Sequence, residues 1–211
     1  MLLKYYYWWH QNVLPVTFID DIFKLVKNKK FQEATTIGAD NKKTTIKKQK
    51  KNKRNTKVVF IAEPWIYETI NPIVNAANER AGWNFEWNYN EPVQFAKYNT
   101  KKYYGWHSDS LENPYVYDRP DNPNHHGKMR KLSTIISLND ASEYEGGEVE
   151  FDFRNNDVDK NKTVSQIFEC KELKRKGTVV TFPSHVWHRV KPITKGTRYS
   201  LVIWHLGWPF K

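Results

Sequence analysis

Residues 147 to 153 read Gly-Glu-Val-Glu-Phe-Asp-Phe, with Val149, Phe151 and Phe153 at every second position and Glu148, Glu150 and Asp152 between them. Successive side chains of a strand leave opposite faces, so this stretch must bury one face and wet the other. From Trp83 onward the theme recurs. Short β-branched and aromatic runs at 92–98, 131–138, 147–153, 164–169, 177–182, 186–191 and 197–205 are separated by Gly, Asn, Asp and Pro clusters. Such a series predicts an antiparallel sandwich or barrel. An aromatic content of 15%, with nine Trp and twelve Tyr, suits a sheet-built interior.

Two helices are expected ahead of these strands. Residues 13 to 27 read as a short strand running into a helix, with Asp20 or Asp21 placed to cap it. A second helix is predicted from Glu63 to Gly82, where Pro64 suits the first turn and Ile66, Ile70, Ile73, Val74 and Ala77 recur at helical spacing. The expected fold is therefore mainly β with flanking helices, an α+β chain. A length of 211 residues suits one domain over 1–211, with residues 1–89 as a strand and helix support and 90–208 as the core.

The formal charge of +11 is concentrated in a basic loop, 42–57, where Lys and Arg alternate with Thr, Gln and Asn. The plain reading of such a run is a solvated loop, and the functional one is a clamp for an acidic partner such as nucleic acid. It carries no interleaved aromatics for base stacking, so function is not built on it. Cys170 is the single cysteine, which excludes an internal disulfide and a thiolate zinc site and suits a reducing compartment. No apolar stretch has the length of a signal peptide core or a membrane span, so the expectation is a soluble, cytoplasmic protein with no membrane partner. Nothing in the sequence specifies an oligomeric state.

The residues with chemical potential lie in the β-rich part. His107 and Asp109 are two apart, so on an extended segment both side chains leave the same side and can converge on one ion. His188, in Phe182-Pro-Ser-His-Val-Trp-His-Arg-Val190, is the best third ligand, and His185 is its local rival. Two imidazoles and one carboxylate on one face of a divalent metal leave three positions open, the arrangement used to bind a co-substrate and dioxygen on non-haem iron. Arg198, Ser200, Val202 and Trp204 share a strand face, so a guanidinium fork and a hydroxyl point the same way, as a carboxylate requires. A charge embedded in an aromatic strand wants a partner. The turn over 191–196 is expected to fold the strands of His188 and Arg198 side by side, and Gly146-Gly147 to form a hairpin turn. The long loop from Leu111 to Lys131, which carries His125 and His126, is placed to act as a lid.

With HxD at 107–109, Glu-Gly-Gly-Glu at 145–148, Phe-Pro at 182–183, then His188 and Arg198 in that order, residues 90 to 208 resemble the Fe(II)/2-oxoglutarate dioxygenases. Within these the resemblance is to the prolyl hydroxylase group that includes the PKHD-type enzymes. The resemblance implies a double-stranded β-helix, or jelly roll, with the metal at its open end. It implies Fe(II) on His107, Asp109 and His188, and 2-oxoglutarate held through its distal carboxylate by Arg198, with ascorbate as a candidate reductant. Tyr98 and Tyr104 match tyrosines near the co-substrate and substrate, and a prolyl ring is expected among Tyr98, Tyr104 and Trp106. Ser137 stands where a tyrosine often shares the distal carboxylate, leaving Ser200 or Tyr104 as substitutes.

The implied activity is hydroxylation of an unactivated C–H bond, with a prolyl residue of a protein or peptide as the leading target and succinate and CO2 as co-products. One rival is oxidative demethylation of alkylated nucleic acid, but that family typically carries a second arginine six positions after the first, and here Trp204 occupies the place. The other is a non-catalytic basic β-sandwich that binds nucleic acid.

Overall fold

The computed structural model describes residues 3–34, 54–110, 113–116, 124–153 and 166–210. Most of the basic loop, and parts of the 111–131 loop and of the run at 164–169, lie outside the described residues. In chain order the described strands are β1 (Trp8–His10), β2 (Gln32–Glu33), β3 (Arg54–Asn55), β4 (Lys57–Ile61), β5 (Tyr89–Asn90), β6 (Val93–Asn99), β7 (Tyr103–His107), β8 (Met129–Ser137), β9 (Tyr144–Gly146), β10 (Val149–Asp152), β11 (Ile167–Glu169), β12 (Val179–Pro183), β13 (Trp187–Val190) and β14 (Ile193–Gly207). The described α-helices are α1 (Phe18–Val26) and α2 (Pro64–Arg80).

The strands form two facing antiparallel sheets. The larger runs β1-β12-β8-β14-β6-β4-β2, with β5 and β9 attached to β14, and the smaller runs β11-β10-β13-β7-β3. Alternation along the strands sorts the side chains into two cores. Leu132 and Ile136 of β8 and Leu201 and Ile203 of β14 face Phe18, Ile22, Ile66, Ile70 and Val74 of the helices. Ile135 of β8 and Val180 and Phe182 of β12 instead face Val149, Phe151 and Val190 of the smaller sheet. Each such buried side chain stabilises the fold by about 1.5–3 kcal/mol relative to exposure. The architecture is the double-stranded β-helix, with both helices packed on the outside of the larger sheet.

All seven expected strands are present, and α2 occupies the expected span. Four expectations about the fold are corrected. Residues 13–17 form no strand: Pro15 lacks an N–H, and its carbonyl accepts from Phe18 N at 3.0 Å in the turn that opens α1. Asp20 and Asp21 lie inside the first turn of α1 and do not cap it; Thr17 is the N-cap, with no side-chain capping bond. The strands of His188 and Arg198 are not neighbours either, because β13 pairs with β10 and β7 while β14 pairs with β6 and β8. The segment between them crosses from one sheet to the other.

Gly146-Gly147 is a second crossing of this kind and not a hairpin, since β9 pairs with β14 and β10 with β13 and β11. Both glycines have positive φ, 79° and 71°. A Cβ on Gly146 would collide with the carbonyl oxygen of Pro192, so the two crossing segments approach as closely as glycine allows. No described helix is long and apolar enough to cross a membrane.

Candidate metal and co-substrate site

His107 ends β7, His188 lies in β13 opposite it, and Asp109 follows β7 by two residues. All three side chains are buried, and their ligand atoms lie within 4.8 Å of one another. His107 Nε2 is 3.7 Å from Asp109 Oδ1 and His188 Nε2 is 3.6 Å from Asp109 Oδ2. The other ring nitrogen of each histidine meets a backbone carbonyl: His107 Nδ1 donates to Gly105 O at 2.8 Å and His188 Nδ1 to Val186 O at 3.0 Å. With the proton on Nδ1, each Nε2 lone pair points into the cluster, toward a carboxylate and another lone pair. Such a donor set is mutually repulsive until a cation sits within it, and two neutral imidazoles with one carboxylate fit a divalent iron. His185, the local rival, is exposed and outside the cluster.

Burial drives His107 well below the ordinary histidine range, and the neighbouring His188 adds to the effect. Burial works against the Asp109 carboxylate, but attraction to His188, His107 and Arg130 and a hydrogen bond from Ser133 outweigh it and hold its pKa at about 2. The carboxylate is thus ionised, as a ligand must be.

Sequence reading did not find what fixes Asp109. Ser133 Oγ donates to Asp109 Oδ2 at 2.8 Å and lies 2.9 Å from Ser184 Oγ, while Asp109 N and Ser110 N both donate to Ser184 O at 2.9 Å. A deeper support lies behind it. Arg130 donates through Nε and Nη2 to the two oxygens of Glu91, each at 2.6 Å, and Tyr115 Oη donates to Glu91 Oε1 at 3.1 Å. The Arg130 guanidinium lies 3.8 Å over the Trp204 ring, and Nη1 reaches Asp109 O at 3.4 Å. Burial alone would lower the pKa of Arg130, but Glu91 more than reverses this, so the cation is permanent.

The cavity beside the cluster opens between the two sheets. The smaller sheet supplies Tyr104, His107, His188 and Val190, and the larger supplies Gln94, Tyr98, Arg198, Ser200, Val202 and Trp204. The shared face of Arg198, Ser200, Val202 and Trp204 therefore looks into the cavity as expected. Arg198 is 2% exposed and among the largest fully buried side chains. Its Nη1 donates to Ser200 Oγ at 3.3 Å, but Nη2 is buried without a partner, and no carboxylate pairs with it among the described residues. An unpaired buried guanidinium is costly, and a ligand carboxylate in this cavity would satisfy it. Tyr98 lies 5.6 Å from that guanidinium, ring to cation. Ser137 is buried opposite Ser200 in the sheet register, and its hydroxyl donates to Asn139 O at 3.2 Å.

Tyr104 and His107 are three residues apart and should face opposite ways on a regular strand. A bulge reverses this: His188 pairs with His107 and Val190 with Tyr104, so three steps of β7 match two of β13. The rings of Tyr104 and His107 consequently stack, with centroids 3.5 Å apart. The same bulge turns Trp106 away, under the Arg189 guanidinium at 4.7 Å, so Trp106 does not line the cavity with Tyr98 and Tyr104. Burial pushes the Tyr104 hydroxyl far above its ordinary range, leaving it a permanent donor.

Comparison with known proteins places this geometry. The sequence model of the 2OG-Fe(II) oxygenase superfamily matches residues 93–206. A PKHD-type hydroxylase of Pseudoalteromonas atlantica is 28% identical over 115 residues, 54% of this chain and 42% of that protein. The chain thus spans less than half the length of the curated relatives it matches. In fold it is similar to a prolyl-4-hydroxylase of Pseudomonas putida, with a TM-score of 0.64 and 16% identity over 96% of this chain and 93% of that one. It is also similar to a prolyl hydroxylase of Trichoplax adhaerens, solved with a hypoxia inducible factor peptide fragment, with a TM-score of 0.63 and 17% identity over 96% and 84% of the two chains.

Proposed function

The chain belongs to the 2OG-Fe(II) oxygenase superfamily, and from that premise we propose that it is an Fe(II)- and 2-oxoglutarate-dependent dioxygenase that hydroxylates a prolyl residue of a protein or peptide. The observation that carries the reading is one cavity holding both a buried His-Asp-His set and a buried guanidinium with an unpartnered donor. His107, Asp109 and His188 would hold the metal, and Arg198 would bind the distal carboxylate of 2-oxoglutarate with Ser200 aligning the fork. When bound, metal and co-substrate supply oxidative decarboxylation of 2-oxoglutarate by dioxygen, giving succinate, carbon dioxide and one oxygen atom for a C–H bond.

The protein's own work is placement. Tyr98 flanks the arginine, and the permanently protonated Tyr104 offers a hydroxyl to co-substrate or substrate above His107. Val190, Val202 and Trp204 exclude water and shape the space for the target bond. The prolyl target is supported by the PKHD-type relatives and by the prolyl hydroxylases that share the fold. We also read the chain as one domain, with 90–208 as the catalytic core on a support formed by 1–89. The buried, lone Cys170 suits a reducing compartment such as the cytoplasm, and ascorbate is the reductant to supply in assays.

The test is succinate formation by anaerobically Fe(II)-loaded protein exposed to air, with and without proline-rich peptides, beside His188→Ala. Peptide-stimulated turnover with a gain of one oxygen on the peptide, absent in the variant, is the expected result. Turnover that peptides never stimulate would refute the prolyl target, and no turnover at all would leave a binding role.

A further inference from the structure

A second buried arginine stands directly behind the smaller-sheet wall of this cavity, against the Tyr104 ring and the Gln94 amide that line it. Arg54 of β3 pairs in register with Tyr104 and is 8% exposed. Its guanidinium lies 4.4 Å over the Tyr104 ring, and because His107 fills one face of that ring at 3.5 Å, Arg54 covers the other. Nη2 donates to Gln94 Oε1 at 2.9 Å, which leaves the charge uncompensated, and Nε is buried without a partner. No carboxylate forms an ion pair with Arg54 among the described residues. Both of its contacts, Gln94 and Tyr104, line the cavity. A full charge kept this dry, with a neutral amide and a ring face for company, is costly unless an anion arrives with a ligand.

Arg198 already faces the region assigned to the co-substrate from the larger sheet, so a second anion site one ring away from His107 calls for a different ligand. We propose that Arg54 determines substrate specificity by pairing with a carboxylate of the peptide, so that the substrate class is acidic peptides. The inference rests on the function proposed above. Stacking steps of 3.5 and 4.4 Å from His107 to Arg54 span about two residues of extended chain at roughly 3.3–3.6 Å each. The carboxylate is therefore carried within two positions of the hydroxylated residue. A chain of formal charge +11 draws the same class of partner from a distance.

The experiment compares three proline peptides that differ only two positions from the proline, carrying Asp, Asn or Lys there. Full-length protein and its Arg54→Gln, Arg54→Lys and Arg54→Glu variants are assayed for peptide hydroxylation. Binding of the same peptides without turnover is followed by tryptophan fluorescence. The native protein is expected to favour the Asp peptide over the Asn peptide by about tenfold or more, the scale of a charge-assisted pair. Arg54→Gln should bring that ratio toward one through KM, Arg54→Lys should keep part of it, and Arg54→Glu should favour the Lys peptide. Equal use of Asp and Asn peptides by active native protein would overturn the proposal. So would a variant in which KM for 2-oxoglutarate rises while the peptide ratio stays intact. An inactive protein that still binds the Asp peptide preferentially through Arg54 would refute the enzymatic reading and leave this one standing. Inactive protein without that preference would refute both.

Discussion

Asp109 shows how much of the site depends on residues that touch no ligand. Its two oxygens face His107 and His188, and among the described residues only the hydroxyl of Ser133 donates to the carboxylate to hold its plane in that orientation. Removing this donor leaves a buried carboxylate oxygen short of one charge-assisted bond and free to rotate away from the metal position. Ser133→Ala should therefore weaken divalent metal binding about 10–100-fold, read by anaerobic titration with Co(II) and its absorption bands. Ser133→Thr, which keeps the hydroxyl, should restore most of the affinity. Equal affinities in all three proteins would mean that Ser184 and the backbone suffice. Nothing local in the sequence marks Ser133 for this role, because a serine alternating with Leu132 and Thr134 reads as an ordinary strand residue. His107, Asp109, His188 and Arg198 were legible because their residue types are expensive to bury without a purpose.

At the scale of elements, the crossings between sheets do the positioning. Gly147 lies where β9 leaves the larger sheet for β10 of the smaller, and a Cβ there would collide with Ile193 Cδ1 and sit 3.1 Å from Arg198 Cδ. Gly147→Ala is expected to displace the Arg198 side chain and raise KM for 2-oxoglutarate. Its positive φ adds backbone strain of roughly 1–2 kcal/mol. Ile193→Val removes the obstructing methyl at about 0.5–1.5 kcal/mol on its own. In the double variant the KM defect should shrink below the product of the single effects; multiplicative effects would show that the contact is not the cause. These crossings were the part of the fold that the sequence did not reveal. Alternation located strands such as β10 and β14, but two strands joined by a short glycine-containing turn look alike whether they pair with each other or part to opposite sheets. The bulge in β7 escaped for a related reason, since its register is set by β13 and not by its own residues.

At the scale of the whole molecule, the buried polar track under the helices ties the larger sheet together and gives it a pH dependence. Asn90 Nδ2 donates to Asn71 Oδ1 at 3.1 Å, which turns Asn90 Oδ1 toward His205, where it accepts from Nδ1 at 2.6 Å. His205 Nε2 then accepts from Thr134 Oγ1 at 2.9 Å, and Thr134 lies 3.1 Å from Thr181 Oγ1. One neutral imidazole thus links β14 to β5, β8 and β12. Burial lowers its pKa from 6.5 to about 3. Above 6.5 neither the folded nor the unfolded chain protonates this ring, and His205 adds no slope. As pH falls from 6.5 toward 3 the unfolded chain gains a proton that the folded one refuses, and stability drops by up to about 1.4 kcal/mol per pH unit. The depressed Asp109 carboxyl also costs stability in acid, as pH falls through the carboxylate range toward 2. That contribution is common to the native protein and a His205→Gln variant, so it cancels in their difference. Urea unfolding of the two proteins at steps from pH 7.5 to 4.5 should show the native protein ahead at neutral pH and its lead narrowing below 6.5. A lead that does not change with pH would mean that the ring is protonated as readily inside the fold as outside it.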